Sequence, residues 1–180
     1  SRKDELHTLF RSLLGQRPLI VASNRGPLEF HLTPEGDLRP RRGNGAIVTA
    51  LNNLTENFEF TWVANAMGEG DRRALELAEG GRIRSPLLNQ QVSVRYVVTP
   101  RRMYHKFYNI LCNPLLWFLQ HYMWSSPYTP NVDKVVYDAW ETGYRPVNQA
   151  FSEAVTAEAA QASAPPVVML HDYHLYLTAG

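Results

Sequence analysis

The fold is decided by the stretch Val167-Val168-Met169-Leu170-His171-Asp172-Tyr173-His174-Leu175. Its four apolar residues include two adjacent valines and follow Pro165 and Pro166, which predicts a buried strand. Ionisable residues begin abruptly where that strand ends. Because ligands of open α/β sheets bind outside the carboxyl ends of the strands, this His-Asp-Tyr-His cluster is a candidate site.

The composition indicates one soluble globular domain. The chain has 180 residues, of which 44% are hydrophobic and 19% charged, enough for a single sizeable core. A formal net charge of +1 gives no electrostatic case for binding nucleic acid or an anionic membrane. There is no apolar run near the ~20 residues of a membrane span and no signal-peptide core at the N-terminus. The single cysteine, Cys112, excludes an internal disulfide and fits a reducing compartment, so we expect a cytoplasmic protein.

Strand and helix patterns alternate along the chain. Besides Val167–Leu170, the predicted strands are Pro18–Ser23, Phe58–Ala64 and Val92–Val98, and Leu28–Leu32 is one arm of a hairpin. The predicted helices are Asp4–Leu14, Asp71–Ala78 and Val135–Ala160, the last kinked or divided at Pro146. This order predicts an α/β fold with a Rossmann-like, doubly wound, mostly parallel sheet.

Two further polar segments are candidates to meet Asp172. Arg25 follows the first strand and so occupies its carboxyl end, as Asp172 does on its own strand. The loop Gly43-Asn44-Gly45 opens a predicted helix at Ala46, where free N–H groups and the positive end of the helix dipole suit a phosphate or diphosphate. The two glycines fit a simple turn equally well.

Residues 103–124 are unusually rich in aromatics. Polar residues are interleaved with them, namely His105, Lys106, Asn109, Asn113, Gln120 and His121. Such a segment can be plain core packing. It can also be the wall of a sugar pocket, where ring faces pack on C–H surfaces and polar groups meet hydroxyls.

The histidines beside Asp172 have a simpler interpretation than metal binding. His171 and His174 lack a nearby third ligand, so we expect them to orient Asp172 and pack the cleft. A nucleotide-binding dehydrogenase lobe is also disfavoured, because no G-x-G-x-x-G follows the first strand.

Several stretches together resemble the trehalose-6-phosphate synthase family of retaining glycosyltransferases (family 20). The resemblance covers about Leu19 to Leu175 and is specific as a set. It is carried, in order, by Val21–Pro27, the glycine loop before Ala46-Ile47-Val48, Phe107-Tyr108-Asn109, Leu116-Trp117, His121-Tyr122, Tyr144–Phe151 and His171–Leu175.

The resemblance implies the N-terminal lobe of a GT-B glycosyltransferase. Residues 1–180 would be a single, incomplete, acceptor-side Rossmann-like domain, without the C-terminal donor-binding domain and inactive alone. Family enzymes transfer glucose from a nucleotide sugar, usually UDP-glucose, to glucose 6-phosphate, without a metal or other cofactor. The implied partners are these substrates and the missing lobe, with no nucleic acid and no membrane, and a homo-oligomer is left open.

The same resemblance assigns site residues. Arg25 and Tyr108 would bind the acceptor phosphate, Trp117 would line the acceptor pocket, and Gly45 would give a backbone N–H to the donor diphosphate. Asp172, the candidate catalytic residue, would hydrogen-bond acceptor hydroxyls near the reacting centre rather than act as a nucleophile. These roles suit the chemistry, since arginine is a natural fork for phosphate and an ionised carboxylate only accepts hydrogen bonds.

Two departures from the family pattern leave the substrate open. The family's Gly-Gly-Leu loop is Asn44-Gly45-Ala46 here, and its Gly-Trp-x-Gly segment matches Trp62–Ala66. Glucosylglycerol-phosphate synthases and pseudo-glycosyltransferases that join cyclitols also vary there. A non-catalytic lobe that senses a phosphosugar is the alternative from another class, but the complete set of acceptor residues favours an enzyme.

Overall fold

The computed structural model of the protein describes residues 2–52, 60–88, 92–123, 127 and 130–180. Phe58, Glu59 and Trp124, which the sequence analysis used, lie outside them. The strands in chain order are β1 (Leu19–Ser23), β2 (Leu28–Leu32), β3 (Leu38–Arg42), β4 (Phe60–Asn65), β5 (Val92–Val97) and β6 (Val167–Leu170). Four of them form a parallel sheet in the order β5-β4-β1-β6, and β2 and β3 form the predicted hairpin.

Five helical elements surround the sheet. They are α1 (Arg2–Leu14), α2 (Ala46–Asn52), α3 (Glu69–Leu77), α4 (Arg101–His105, then π-helical Lys106–Leu116, then Trp117–Gln120) and α5 (Lys134–Ala139, then π-helical Trp140–Tyr144, then Arg145–Ala160). Short 3-10 turns lie at Glu79–Gly81 and Tyr173–Leu175. None of the helices in the described parts of the chain combines the length and the apolar character that a membrane span requires.

The sheet is covered on both faces, which confirms the doubly wound prediction. Successive side chains of a strand point to opposite faces. Accordingly, Leu19 and Val21 belong to one buried cluster, with residues of α1, α2 and α3, whereas Ile20 and Ala22 belong to a second cluster with residues of α4 and α5. The long helix and the aromatic segment therefore share one face, beside the strand that leads to Arg25.

The start of α3 corrects one prediction. The helix begins at Glu69 rather than at Asp71. The Asp71 carboxylate accepts hydrogen bonds from the backbone N–H groups of Met67 at 2.8 Å and Gly68 at 3.3 Å, so it caps the first turn from inside the helix. The other carboxylate oxygen accepts from the Phe30 N–H at 2.6 Å and ties the helix to the hairpin.

Two further differences concern α5 and β6. Pro146 does not divide α5: the helix loosens into a π-helical segment that ends at Tyr144, and Pro146 lies in the first turn of the segment that follows. A missing N–H costs least in a first turn. Strand β6, predicted to be buried, lies at the edge of the sheet, where Val168 is 40% exposed.

Candidate functional site

The sheet order creates a crevice between the carboxyl ends of β1 and β6. The next two strands of the parallel sheet in sequence, β4 and β5, lie on one side of the crevice. The chain then returns through α4 and α5 and places β6 on the other side. Doubly wound sheets bind ligands at the position where the winding reverses in this way. Arg25 follows the end of β1, and Asp172 follows the end of β6. The structure therefore places both predicted residues at this edge.

Asp172 has a strained backbone. Its φ of 74° and ψ of 169° fall in a region that is essentially restricted to glycine and costs about 1–3 kcal/mol. One carboxylate oxygen, Oδ1, accepts the Tyr173 N–H at 2.8 Å and starts the 3-10 turn. The other, Oδ2, lies 3.8 Å from His171 Nε2 and 3.8 Å from His174 Nδ1. Strain of this kind accumulates at functional sites, and the Asp172 side chain is 37% exposed.

The His174 imidazole is the centre around which the site residues gather. It stacks on Tyr108 with ring centroids 5.9 Å apart and on Tyr173 at 4.4 Å. Burial is the main cause that lowers the pKa of His174 to about 4; Asp172 opposes the shift, whereas His171 and Arg25 act in the same direction as burial. The ring is therefore neutral at pH 7. Within the described residues its Nε2 is buried and has no hydrogen-bond partner.

Arg25 is fixed through its backbone and free at its guanidinium. Trp62 Nε1 donates to Ser23 Oγ at 2.7 Å, and that hydroxyl donates to the Arg25 carbonyl at 2.6 Å. The side chain is 47% exposed, with Nη1 3.8 Å from Glu29 Oε1. Since an exposed ion pair of this length contributes little energy, the guanidinium can exchange Glu29 for an anionic ligand.

The glycine loop docks on the turn that carries Arg25. The Gly43 N–H donates to the Pro27 carbonyl at 2.9 Å, and a Cβ at Gly43 would lie 2.0 Å from the Gly26 carbonyl oxygen. Gly45 is exposed at the start of α2, and a Cβ there would meet only Val48 Cγ2 at 3.8 Å. The steric need for glycine thus falls on Gly43, which the sequence analysis did not single out.

A polar network that the sequence analysis missed joins α4 to the ends of β1 and β4. The Tyr104 and Tyr108 rings stack with centroids 5.6 Å apart. Asn24 Nδ2 donates to the Tyr104 hydroxyl at 3.1 Å, and Asn65 Nδ2 donates to Asn24 Oδ1 at 2.8 Å. Burial raises the pKa of Tyr104 to about 12, so this phenol stays protonated. The available signal was position, because Asn24 and Asn65 both lie at strand carboxyl ends.

Trp117 lies on α4, directly after its π-helical segment. Its ring is 37% exposed and, among the described side chains, contacts Phe118 and stacks on His121 at 4.2 Å. One helical turn later, Gln120 Oε1 accepts the Tyr176 hydroxyl at 2.6 Å. A cavity of about 310 Å³ is lined by Gln120, Leu170, Asp172, Tyr173, Leu175 and Tyr176. The structure thus stacks Tyr108 on His174 and places Asp172 Oδ2 near the same ring, while Arg25 lies at the end of the neighbouring strand. Gly45 lies at the start of α2 and Trp117 on α4.

The site contains two histidines but no metal cluster among the described residues. Nowhere in the described ranges do three or more His, Cys, Asp or Glu side chains come together as potential metal ligands. The Cys112 thiol is fully buried, and burial raises its pKa.

The fold is that of the N-terminal, Rossmann-like lobe of a GT-B glycosyltransferase. The sequence profile of glycosyltransferase family 20 matches residues 17–180, and the chain belongs to that family.

Individual proteins of known sequence or structure are similar to nearly the whole of this chain. An α,α-trehalose-phosphate synthase (UDP-forming) of Aspergillus niger is 29% identical over 165 residues, which are 91% of this chain and 31% of that protein. A validamine 7-phosphate valienyltransferase of Streptomyces hygroscopicus subsp. jinggangensis is 25% identical over 158 residues, covering 87% of this chain and 31% of that protein. The solved α,α-trehalose-phosphate synthase (UDP-forming) of Burkholderia xenovorans, in complex with glucose-6-phosphate, has a TM-score of 0.55 at 18% identity and covers 91% of this chain and 30% of that chain. The chain thus spans about 30% of the length of these relatives.

Proposed function

We propose that this chain is the acceptor-binding lobe of an enzyme that transfers glucose from a nucleotide sugar to glucose 6-phosphate. The products would be trehalose 6-phosphate and a nucleoside diphosphate, with UDP-glucose as the preferred donor. The observation that carries the proposal is that Arg25 and the strained Asp172 follow the carboxyl ends of the paired parallel strands β1 and β6, with Tyr108 stacked on the neighbouring His174 ring. Residues 1–180 would act as one domain beside a donor-binding lobe. The buried Cys112 suits the reducing cytoplasm as the place of reaction.

The proposed roles follow from exposure and charge. Arg25 offers a half-exposed guanidinium to the phosphate dianion, and Tyr108, which stacks on the His174 ring, would add its hydroxyl. Trp117 would form the outer wall of the acceptor pocket. Gly45, at the open start of α2, would give its backbone N–H to the donor diphosphate.

Asp172 would position the acceptor rather than attack the donor. Its Oδ2 has two imidazoles as neighbours, whereas a retaining glycosidase pairs its nucleophile with a second carboxyl group roughly 5 Å away. A fixed carboxylate oxygen can instead accept a sugar hydroxyl and hold it at the reacting centre. The departing phosphate would then take the proton of the attacking hydroxyl. In this mechanism the lobe needs no metal, and it should not turn over without the donor lobe.

Two substitutions in the full-length protein test these roles. Arg25→Ala should raise the acceptor KM about 30-fold, because losing a charged phosphate contact costs at least ~2 kcal/mol, while the donor KM stays constant. Arg73→Ala, the matched control, removes an exposed arginine on α3 that pairs with the exposed Glu76 at 2.8 Å. An unchanged acceptor KM in Arg25→Ala would remove this residue from the site. Asp172→Asn should lower kcat, and full activity would contradict its role.

A second candidate, transfer to a cyclitol phosphate, is favoured by the similarity to the valienyltransferase. Nucleoside diphosphate release should therefore be measured with UDP-, ADP- and GDP-glucose against glucose 6-phosphate, glycerol 3-phosphate and validamine 7-phosphate. Release that requires glucose 6-phosphate supports the main proposal. Release only with another acceptor moves the protein to that branch, and Asn44 and Asn65 become the residues to exchange. No release with any pair supports a phosphosugar-sensing lobe.

A further inference from the structure

Two fully buried polar side chains on α5 form hydrogen bonds with the backbone that follows Asp172. Tyr144 and Asn148 are both 0% exposed and lie one helical turn apart. The Tyr144 hydroxyl donates to the Tyr173 carbonyl at 2.6 Å and accepts the Tyr176 N–H at 3.2 Å. A single phenol thus fixes both ends of the turn after the strained residue.

Asn148 uses its whole hydrogen-bonding capacity. Its amide nitrogen donates to the carbonyls of Tyr144 and His174, each at 3.0 Å. Its amide oxygen accepts the Leu177 N–H at 3.1 Å and the Thr178 hydroxyl at 2.9 Å. A carboxamide has two donors and two lone pairs, so this one is fully satisfied. We call Tyr144 and Asn148 the clamp.

The clamp is connected to the aromatic side of the site. Gly143, directly before Tyr144, is so close to α4 that a Cβ would lie 2.8 Å from the Phe107 backbone nitrogen. The element that carries the clamp is therefore packed against the element that carries Tyr108. The ring of Phe107 also stacks on that of Tyr144 at 5.8 Å.

Strained backbone persists only where its surroundings over-determine it. Upstream of Asp172, the His171 N–H donates to the Ala22 carbonyl at 2.9 Å and extends the parallel ladder. Downstream, the clamp holds the chain as far as Thr178. Buried polar networks that are fully satisfied specify one arrangement more strongly than an apolar core does.

We propose that Tyr144 and Asn148 are positioning residues that hold Asp172 in its left-handed conformation and so aim Oδ2 at the acceptor. The kinetic consequence rests on the proposed function, whereas the conformational consequence does not. The clamp acts through the backbone and touches no substrate. Its loss should therefore weaken use of the acceptor and leave donor binding intact.

The test compares Tyr144→Phe and Asn148→Leu with Tyr96→Phe in the full-length protein. Tyr96 is the matched control, because its buried hydroxyl also donates to a carbonyl at 2.6 Å, that of Leu28 in the hairpin. In the clamp variants, kcat/KM for the acceptor should fall roughly 10- to 100-fold, with an unchanged donor KM. The φ-sensitive couplings of Asp172, measured by NMR as the amide–Hα three-bond and the Cα–Hα one-bond coupling, should change as well, because the second of them distinguishes positive from negative φ. Tyr96→Phe should alter neither quantity.

The two readouts separate this inference from the proposed function. If the wild-type protein transfers no sugar, the proposed function fails, and the Asp172 couplings alone test the clamp. Changed couplings in the clamp variants then support the role of the clamp, whereas couplings equal to those of the wild type overturn it. If the wild type is active, clamp variants with wild-type kinetics overturn the proposal, even when they lose as much stability as the control. Tyr144→Phe keeps the ring and its volume, so it remains decisive if Asn148→Leu does not fold.

Discussion

At position 172 the glycine variant should be more stable than the alanine variant, which is the reverse of the order at most positions. Both variants remove the carboxylate and its hydrogen bond to the Tyr173 N–H, so they differ only in the Cβ. At φ 74° and ψ 169°, alanine keeps a strain of about 1–3 kcal/mol. Glycine escapes that strain but loses ~0.5–1 kcal/mol more chain entropy on folding. Asp172→Gly should therefore be the more stable variant by about 1–2 kcal/mol.

Urea denaturation of the 180-residue chain, followed by far-UV circular dichroism, measures this difference. In a thermal melt it corresponds to a higher Tm by roughly 2–8 °C for a domain of this size. Glu76, an exposed residue of α3, provides the control pair, because glycine should be ~1 kcal/mol less stable than alanine there. If alanine is the more stable residue at both positions, the backbone of Asp172 is not strained and the reasoning fails.

Two other predictions concern the glycine loop and pH. A Cβ at Gly43 would lie 2.0 Å from the Gly26 carbonyl oxygen, which is a severe clash. A Cβ at Gly45 would lie 3.8 Å from Val48 Cγ2, which is an ordinary van der Waals contact. Gly43→Ala should therefore cost about 1–3 kcal/mol in urea denaturation, and equal losses in Gly43→Ala and Gly45→Ala would contradict the docking of this loop. Burial lowers the pKa of His174 from 6.5 to about 4, so between these pH values the unfolded chain binds a proton that the folded chain does not. Stability should thus fall by roughly 3 kcal/mol as the pH drops from 6.5 to 4. His174→Gln should flatten this loss, and an acid profile like that of the wild type would argue against a neutral, buried imidazole.

The strands could be predicted because each is a short segment rich in β-branched or aromatic residues, either nearly continuous as in Leu19–Ser23 or alternating as in Val92–Val97. Leu19–Ser23 and Val92–Val97 appear where the sequence predicts them, with limits that differ by one residue. The start of α3 was missed because Asp71 serves two elements, capping the helix and binding the Phe30 N–H of the hairpin. The bond between the Phe30 N–H and Asp71 joins residues 41 positions apart, so a local sequence pattern cannot predict it.

The site was predictable to the extent that it follows strand ends. Arg25 and Asp172 could be paired from sequence because parallel strands end at one edge of a sheet. The hydrogen bond between Asn24 and Tyr104 spans 80 positions, and the clamp bonds from Asn148 span 26 to 30. Both depend on how α4 and α5 pack on the sheet, which hydrophobic periodicity does not specify.

The sequence by itself determined the α/β class, the doubly wound sheet and the edge at which Arg25 and Asp172 meet. Those features follow from local periodicity and from the rule that parallel strands share a carboxyl edge. Only the tertiary structure decided that Asp172 is strained, that His174 is buried among aromatic rings, and that Gly43 rather than Gly45 must be glycine. These properties arise from contacts between segments far apart in the chain, where backbone conformation and burial are set by the neighbours a residue acquires on folding.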